Sequence, residues 1–300
     1  VFEGRLSDTL AIIDQRCIGT CSWSNLEISN VTNGIFLSGS GNHSFSGLDI
    51  TAAERGIEGT GSGHIHLAST NITAGTKGIE MRDPSSTFEQ ISISMTSHTS
   101  TALDVLDGDH QWSSVSASKG YLASDVSSIG LKAWYASIDI NALSLVHFGN
   151  GILAEHAEIS GHSILVQDGK GVGIDLEHSS LQSDSLDTRA YPEGVTLKQT
   201  SQLHVSDWTA STHTSPLSIS THSTATIRDF QPQNTQPSSS DALGDGTLIY
   251  GGSTTANIAV SSASYLDETP VTFTDLAGNP VQATISVHGF TLQSGANGGA

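Results

Sequence analysis

The chain has 300 residues, with 11 Lys and Arg against 30 Asp and Glu, for a formal net charge of −19. A field of that sign repels nucleic acid and anionic membranes, so neither is expected as a partner, whereas cations and salt are tolerated. Charged residues make up only 14% of the chain, yet aliphatic residues recur regularly along it, which marks a folded chain rather than a disordered one. No apolar run approaches the ~18 residues of a membrane span, and no secretory leader is visible, so membrane insertion by this segment is not expected. The chain opens on Val1 rather than Met. It is expected to be covalently part of a larger protein.

Residues 1–21 are expected to cap the N-terminus. Within them, residues 5–16 read equally as an amphipathic helix or as a first strand. Cys17 and Cys21 lie four residues apart. A zinc site would need two further soft ligands at suitable spacing, so a local disulfide in an oxidising compartment is preferred over two reduced thiols. Asn30, Asn42 and Asn71 head N-x-[ST] triplets and are candidate glycosylation sites of an exported protein.

From there a ladder of small residue plus aliphatic runs down the chain. Its steps are Gly34-Ile35, Gly56-Ile57, Gly78-Ile79, Ala102-Leu103, Gly130-Leu131, Gly151-Ile152, Gly173-Ile174, Gly194-Val195 and Pro216-Leu217, at offsets of 21 to 28 residues. Gly246-Thr247-Leu248 is a tenth candidate. A second alternating segment precedes several steps, as in Leu26-Glu27-Ile28 and Leu48-Asp49-Ile50. Strands this short bury nothing alone, but stacking one coil on the next makes continuous aliphatic columns. The spacing therefore predicts a solenoid of about ten coils over residues 22–266. The recurring Gly fits either a positive φ or a close approach of the neighbouring coil.

The coil pattern G-[IVL]-x-[LM], as in Gly78-Ile79-Glu80-Met81 and Gly173-Ile174-Asp175-Leu176, resembles the pectin-lyase-like superfamily of right-handed parallel β-helices over roughly residues 20–260. The resemblance implies an all-β, single-stranded right-handed parallel β-helix. It is nearly silent on chemistry, because that superfamily includes lyases, hydrolases, phage tailspikes and non-catalytic surface proteins. The superfamily's polygalacturonase motifs (N-T-D, a paired D-D, G-H-G and R-I-K) are missing, and Gly161-His162-Ser163 lacks the second Gly.

Four groups of residues carry candidate chemistry. Glu58, Glu80 and Asp104 fall two residues after successive ladder steps, so stacking predicts an acidic column. Carboxylates at coil spacing would suit a carbohydrate-active enzyme, a polysaccharide lyase or a glycoside hydrolase, with Arg55, Lys77 and Arg82 nearby. Asp107 and Asp109, beside Gly108, are oxygen donors of the kind Ca²⁺ takes, although the spacing falls short of a full calcium loop. No cofactor is required by any motif, and calcium is the one ion suggested. His156 and His178 are one period apart, as are Glu155 and Glu177, which would suit metal binding or proton transfer. Trp112, Trp134 and Tyr135 cluster near the longest ladder step, where a side loop is expected over residues 106–112, and are candidate platforms for a glycan.

From about residue 267 the pattern becomes strand, turn, strand: a hairpin over 267–292 that either caps the solenoid or opens an Ig-like module. Residues 293–300 are small and polar, and a flexible tail is expected there. The leading expectation is a non-catalytic structural or adhesive segment of a secreted or cell-surface protein that contacts a polysaccharide or cell-surface glycan. A carbohydrate-active enzyme and a filament-forming assembly module are the alternatives.

Overall fold

A computed structural model describes residues 2–3, 12–14, 17, 19–61, 63–120, 126–219, 222–233, 247–250, 258–259, 284–287 and 290–293. The chain winds into an all-β parallel solenoid of about nine turns, with no helix among the described residues. At a coil spacing of ~4.8 Å the rod is roughly 40–45 Å long.

Each turn combines one long and one short strand, as in Ser85–Met95 followed by Thr101–Leu106. The long strand bends at mid-length. There the alternation of buried and exposed residues slips by one, with Glu89 and Gln90 both outward, and Gln90 adopts φ 57°. The slip divides the long strand into two faces. The first face comprises residues such as 85–89, 109–113 and 137–141, the second such as 91–95 and 115–119. The short strand is the third face.

The ladder read from the sequence is the register of the third face. Ile35 pairs with Ile57, Ile57 with Ile79, Ile79 with Leu103, and Leu103 with Leu131. The series continues through Ile152, Ile174 and Val195 to Leu217. Upstream, Ile12 pairs with Ile35 and Phe2 with Ile28, so the described N-terminal residues join the solenoid as strands. Leu248 does not extend the ladder. It pairs with Ala225 on the first face, so Thr247–Tyr250 stacks on the start of the long strand Thr224–Gln233 rather than on Leu217.

The recurring glycines answer to packing between coils. A Cβ on Gly34 would lie 2.4 Å from the Gly56 carbonyl oxygen, on Gly56 2.6 Å from that of Gly78, and on Gly173 2.5 Å from that of Gly194. Of the two reasons for glycine, close approach holds: Gly34, Gly56, Gly78, Gly151, Gly173 and Gly194 are absent from the positive-φ glycines. The aliphatic columns run the length of the interior, with Phe45, Leu67, Phe88, Trp112 and Ile140 inward on the first face and Ile28, Ile50, Ile72 and Ile93 on the second.

Corners carry polar groups that must be satisfied internally. Serine hydroxyls do this in a column: the backbone N–H groups of Ala157, Ser179 and Ser201 donate to the Oγ atoms of Ser179, Ser201 and Ser223, at 3.0, 3.2 and 3.1 Å. Two buried histidines are held in related networks, each tied to a buried tryptophan through a hydroxyl. Trp112 Nε1–H donates to Ser86 Oγ at 3.2 Å, and Ser86 Oγ lies 2.8 Å from His110 Nδ1. His110 Nε2 faces the Asp107 carbonyl at 2.8 Å, which only accepts, so the ring proton sits on Nε2 and Nδ1 accepts from Ser86. Trp208 Nε1–H likewise donates to Thr188 Oγ1 at 3.0 Å, itself 3.0 Å from His213 Nε2, but here both ring nitrogens face carbonyls at 2.8 Å, Nδ1 that of Tyr191 and Nε2 that of Thr188.

Burial lowers both histidines below 6.5, against the opposing pull of their carbonyl partners. Below pH 6.5 the unfolded chain therefore binds protons that the folded chain refuses, so stability is complete above that pH and is lost as pH falls beneath it. Each histidine contributes a slope of up to about 1.4 kcal/mol per pH unit. Urea unfolding from pH 7.5 to 5.5 is expected to show this loss, and His110→Gln to show a shallower one. A variant slope equal to that of the parent chain would rule out His110 as a source.

The longest ladder step does not bulge over residues 106–112. Asp107 and Gly108 form the same tight corner that other coils have, and Asp109–Lys119 is a regular strand in register with Ser137–Val146. The extra residues follow Lys119, between that strand and Ile129–Trp134, and 121–125 lie outside the described residues. In the C-terminal region, Thr284–Val287 pairs antiparallel with Phe290–Gln293, and Ile258–Ala259 pairs with Thr284–Val287 in parallel. The rest of the expected 267–292 hairpin, and the expected tail after Gln293, lie outside the described residues.

Candidate functional site

Glu58, Glu80 and Asp104 are adjacent in register on the third face, and Lys132, Leu153 and Asp175 continue the column. The flanking columns of the same face bring cations to them. Arg55 Nη1 lies 2.6 Å from Glu58 Oε2, Arg82 Nη2 2.5 Å and Lys77 Nζ 3.4 Å from Glu80 Oε1, and Lys77 also pairs with Asp104. Three carboxylates thus interleave with three cations. Glu80 is only 2% exposed. Burial alone would push its carboxyl up, but the Arg82 hydrogen bond and the charges of Lys77, Arg82 and Arg55 outweigh that and hold it below its usual range. A glycosidase acid needs the opposite shift, so that it carries a proton near neutrality. This column has the electrostatics of a structural ion network.

Trp112 is not a surface platform. It is 2% exposed, points inward on the first face, and stacks on Phe88 with ring centroids 5.2 Å apart and planes 8° from parallel. The residues around it form a strand rather than a loop, and strand alternation turns its ring into the core.

Trp134 and Tyr135 are exposed, at 38% and 57%. Trp134 ends its third-face strand and carries Lys132 Nζ 4.2 Å above its ring, a cation–π contact. Tyr135 occupies the next corner with φ 52°. His156 and His178 occupy the same corner one and two coils along, at φ 52° and 48°. The three rings form a ladder: Tyr135 to His156 at 4.8 Å and 9°, His156 to His178 at 4.6 Å and 12°. Each sits five residues after a ladder glycine. That shared offset was present in the sequence, but only His156 and His178 stand out as a pair without the fold.

The ring ladder forms one wall of a groove of about 670 Å³. The floor is made of small residues, Ala136, Ala157 and Ser179. The opposite wall is the outward column Asp109, Ser137, Glu158, Ser180 and Gln202, paired residue to residue across five coils. Hydroxyl, amide and carboxylate groups therefore face a row of stacked rings across a shallow channel. Large residues at ring positions over small ones at floor positions create the concavity.

The metal readings gain no geometry here. Metal–nitrogen bonds of about 2.0–2.1 Å hold two ligating nitrogens within roughly 4.2 Å, with lone pairs converging. The parallel His156 and His178 rings instead aim theirs side by side. Asp107 supplies the corner at φ 59°, Asp109 opens its strand on the groove wall, and no group of three or more His, Cys, Asp or Glu suited to a metal occurs among the described residues.

Cys17 and Cys21 form a disulfide at the start of the first long strand. Asn30, Asn42 and Asn71 are all exposed, and Asn42 Oδ1 accepts from the His64 N–H at 3.2 Å. No family model, curated protein or solved structure matches the chain.

Proposed function

We propose that this chain is a non-catalytic, adhesive β-helix segment of a secreted or cell-surface protein, and that it binds a glycan in the corner groove. The observation that carries this reading is the exposed ladder of Tyr135, His156 and His178 facing a wall of hydrogen-bonding groups. Flat rings stack on the apolar faces of sugars while hydroxyls, amides and carboxylates take the sugar hydroxyls. The neutralised Glu58/Glu80/Asp104 column supports a binding role over a hydrolytic or lytic one. The Cys17–Cys21 disulfide and the exposed sequons support export to an oxidising compartment, where the sequons would carry glycans. Kinship with the pectin-lyase-like superfamily is part of the same reading, supported by the coil pattern and the parallel stacking.

The test is incubation with immobilised neutral and acidic polysaccharides, with and without calcium, following both retention and release of reducing-end or unsaturated products. The expected result is retention without products, lost in Tyr135→Asn. Asn tolerates the left-handed corner that Tyr135 occupies, so the ring is removed without straining the turn. Release of products would overturn the proposal in favour of an enzyme, and absence of any retention would overturn it outright.

A further inference from the structure

Resting on that reading, the charge pattern around the groove narrows its ligand. The first-face segments from 20–24 through 202–206 contain no Lys or Arg, although they carry Glu89, Asp109, Asp139, Glu158 and Asp184; Arg228 stands one coil further along, outside the lining of the groove. The cations of the ion network lie on the third face. A second groove of about 590 Å³ runs along the other side of the first face, where Gln111, Asp139, His162, Gln182 and Asp184 repeat the same chemistry. Asp139 accepts from the Ser160 hydroxyl at 3.1 Å, and Asp184 pairs with His162 at 2.7 Å. Neither groove is lined by an arginine or lysine that could receive a carboxylate or sulfate, and the carboxylates that line them repel one.

We infer that the groove takes a linear, uncharged polysaccharide lying along the solenoid axis, and that it rejects uronic-acid and sulfated polymers. The axial direction follows from the repeat. The polar wall recurs once per coil, every ~4.8 Å, over five coils or roughly 20 Å, and the three central coils add a ring and a small floor residue each. An extended β-linked pyranose chain advances by a comparable distance per sugar, so each of the five coils offers one sugar a polar wall residue and the three central ones also a ring. A chain crossing the rod would meet one such unit only.

The experiment is calorimetric titration of the full chain with three sets of size-graded oligosaccharides: neutral β-linked glucose oligomers, their glucuronic-acid counterparts, and sulfated glucose oligomers. Affinity for the neutral set is expected to rise with length up to about four or five sugars and then level off. The acidic and sulfated sets are expected to bind at least about tenfold more weakly, with the gap narrowing as salt screens the repulsion. Asp109→Asn combined with Glu158→Gln is expected to narrow the same gap, and Tyr135→Asn to weaken neutral binding at least about tenfold.

Acidic or sulfated oligomers binding as tightly as neutral ones, in a Tyr135-dependent manner, would overturn the charge inference and leave the glycan groove standing. Affinity that levels off at one or two sugars would overturn the axial arrangement. If no set binds, or if Tyr135→Asn and His156→Asn leave neutral binding unchanged, the groove reading itself fails and the inference with it.

Discussion

Replacing Trp112 with alanine is expected to destabilise the solenoid by about 4 kcal/mol, the usual cost of deleting a buried large aromatic. The ring is fully enclosed and stacked on Phe88, so its removal leaves a cavity that two neighbouring coils cannot close without losing their strand register. The substitution also takes away the N–H that Ser86 Oγ accepts, loosening the hydroxyl that serves the buried His110. Urea unfolding measures the cost, with amide exchange over 85–119 and 137–146 reporting where it falls. Repeat arrays often open locally rather than all at once, so the exchange data carry the assignment. A loss below about 1 kcal/mol, accompanied by loss of glycan retention, would return Trp112 to the surface.

Gly151→Ala is expected to cost about 3 kcal/mol, at the upper end of overpacking penalties, although it adds one methyl group. The new Cβ would stand 2.1 Å from Val166 Cγ1 and 2.3 Å from the Gly173 carbonyl oxygen. Val166 is buried among packed neighbours. Gly173 is held between paired strands on both sides, so its oxygen has little room to retreat. Gly120→Ala is the control: nothing lies within 4 Å of its Cβ and its φ is not positive, so a neutral or slightly stabilising change is expected. Thermal unfolding of both variants beside the parent chain decides it. Equal midpoints for Gly151→Ala and Gly120→Ala would show that coil-to-coil approach is not what selects glycine.

The repeat was legible because one contact generates it. A small residue must sit wherever one coil's backbone presses on the next, and an aliphatic must follow it into the core, so Gly34-Ile35 through Pro216-Leu217 appear in the sequence as they pair in space. The acidic column was legible for the same reason, since it lies at a constant offset from that pair. Its neutralisation was not. Arg55 and Lys77 stand three residues before the column and Arg82 two after it, and only the sheet shows that Arg55 and Lys77 also reach the carboxylates of the next coil, Glu80 and Asp104.

Trp112 was misplaced because the longest ladder step was read as a side loop over residues 106–112, whereas Asp109–Lys119 is a strand whose alternation turns the ring inward. Ser113 and Ser114 both face outward at the bend, so the strand does not show one unbroken alternation that would have marked it. The Asp107-Gly108 pair misled in a similar way: an Asp-Gly turn has the same local chemistry whether it opens a long loop or closes a tight corner. The amino-acid sequence by itself determined the parallel solenoid, its register and the acidic character of the chain, since these follow from residue types recurring at one interval. The tertiary structure alone decided which rings reach solvent, which carboxylates are neutralised, and where a groove opens. Those properties depend on the bends between faces and on side chains from neighbouring coils: a constant offset from the ladder puts Tyr135, His156 and His178 in one column, but only the bend turns that column to solvent beside a groove.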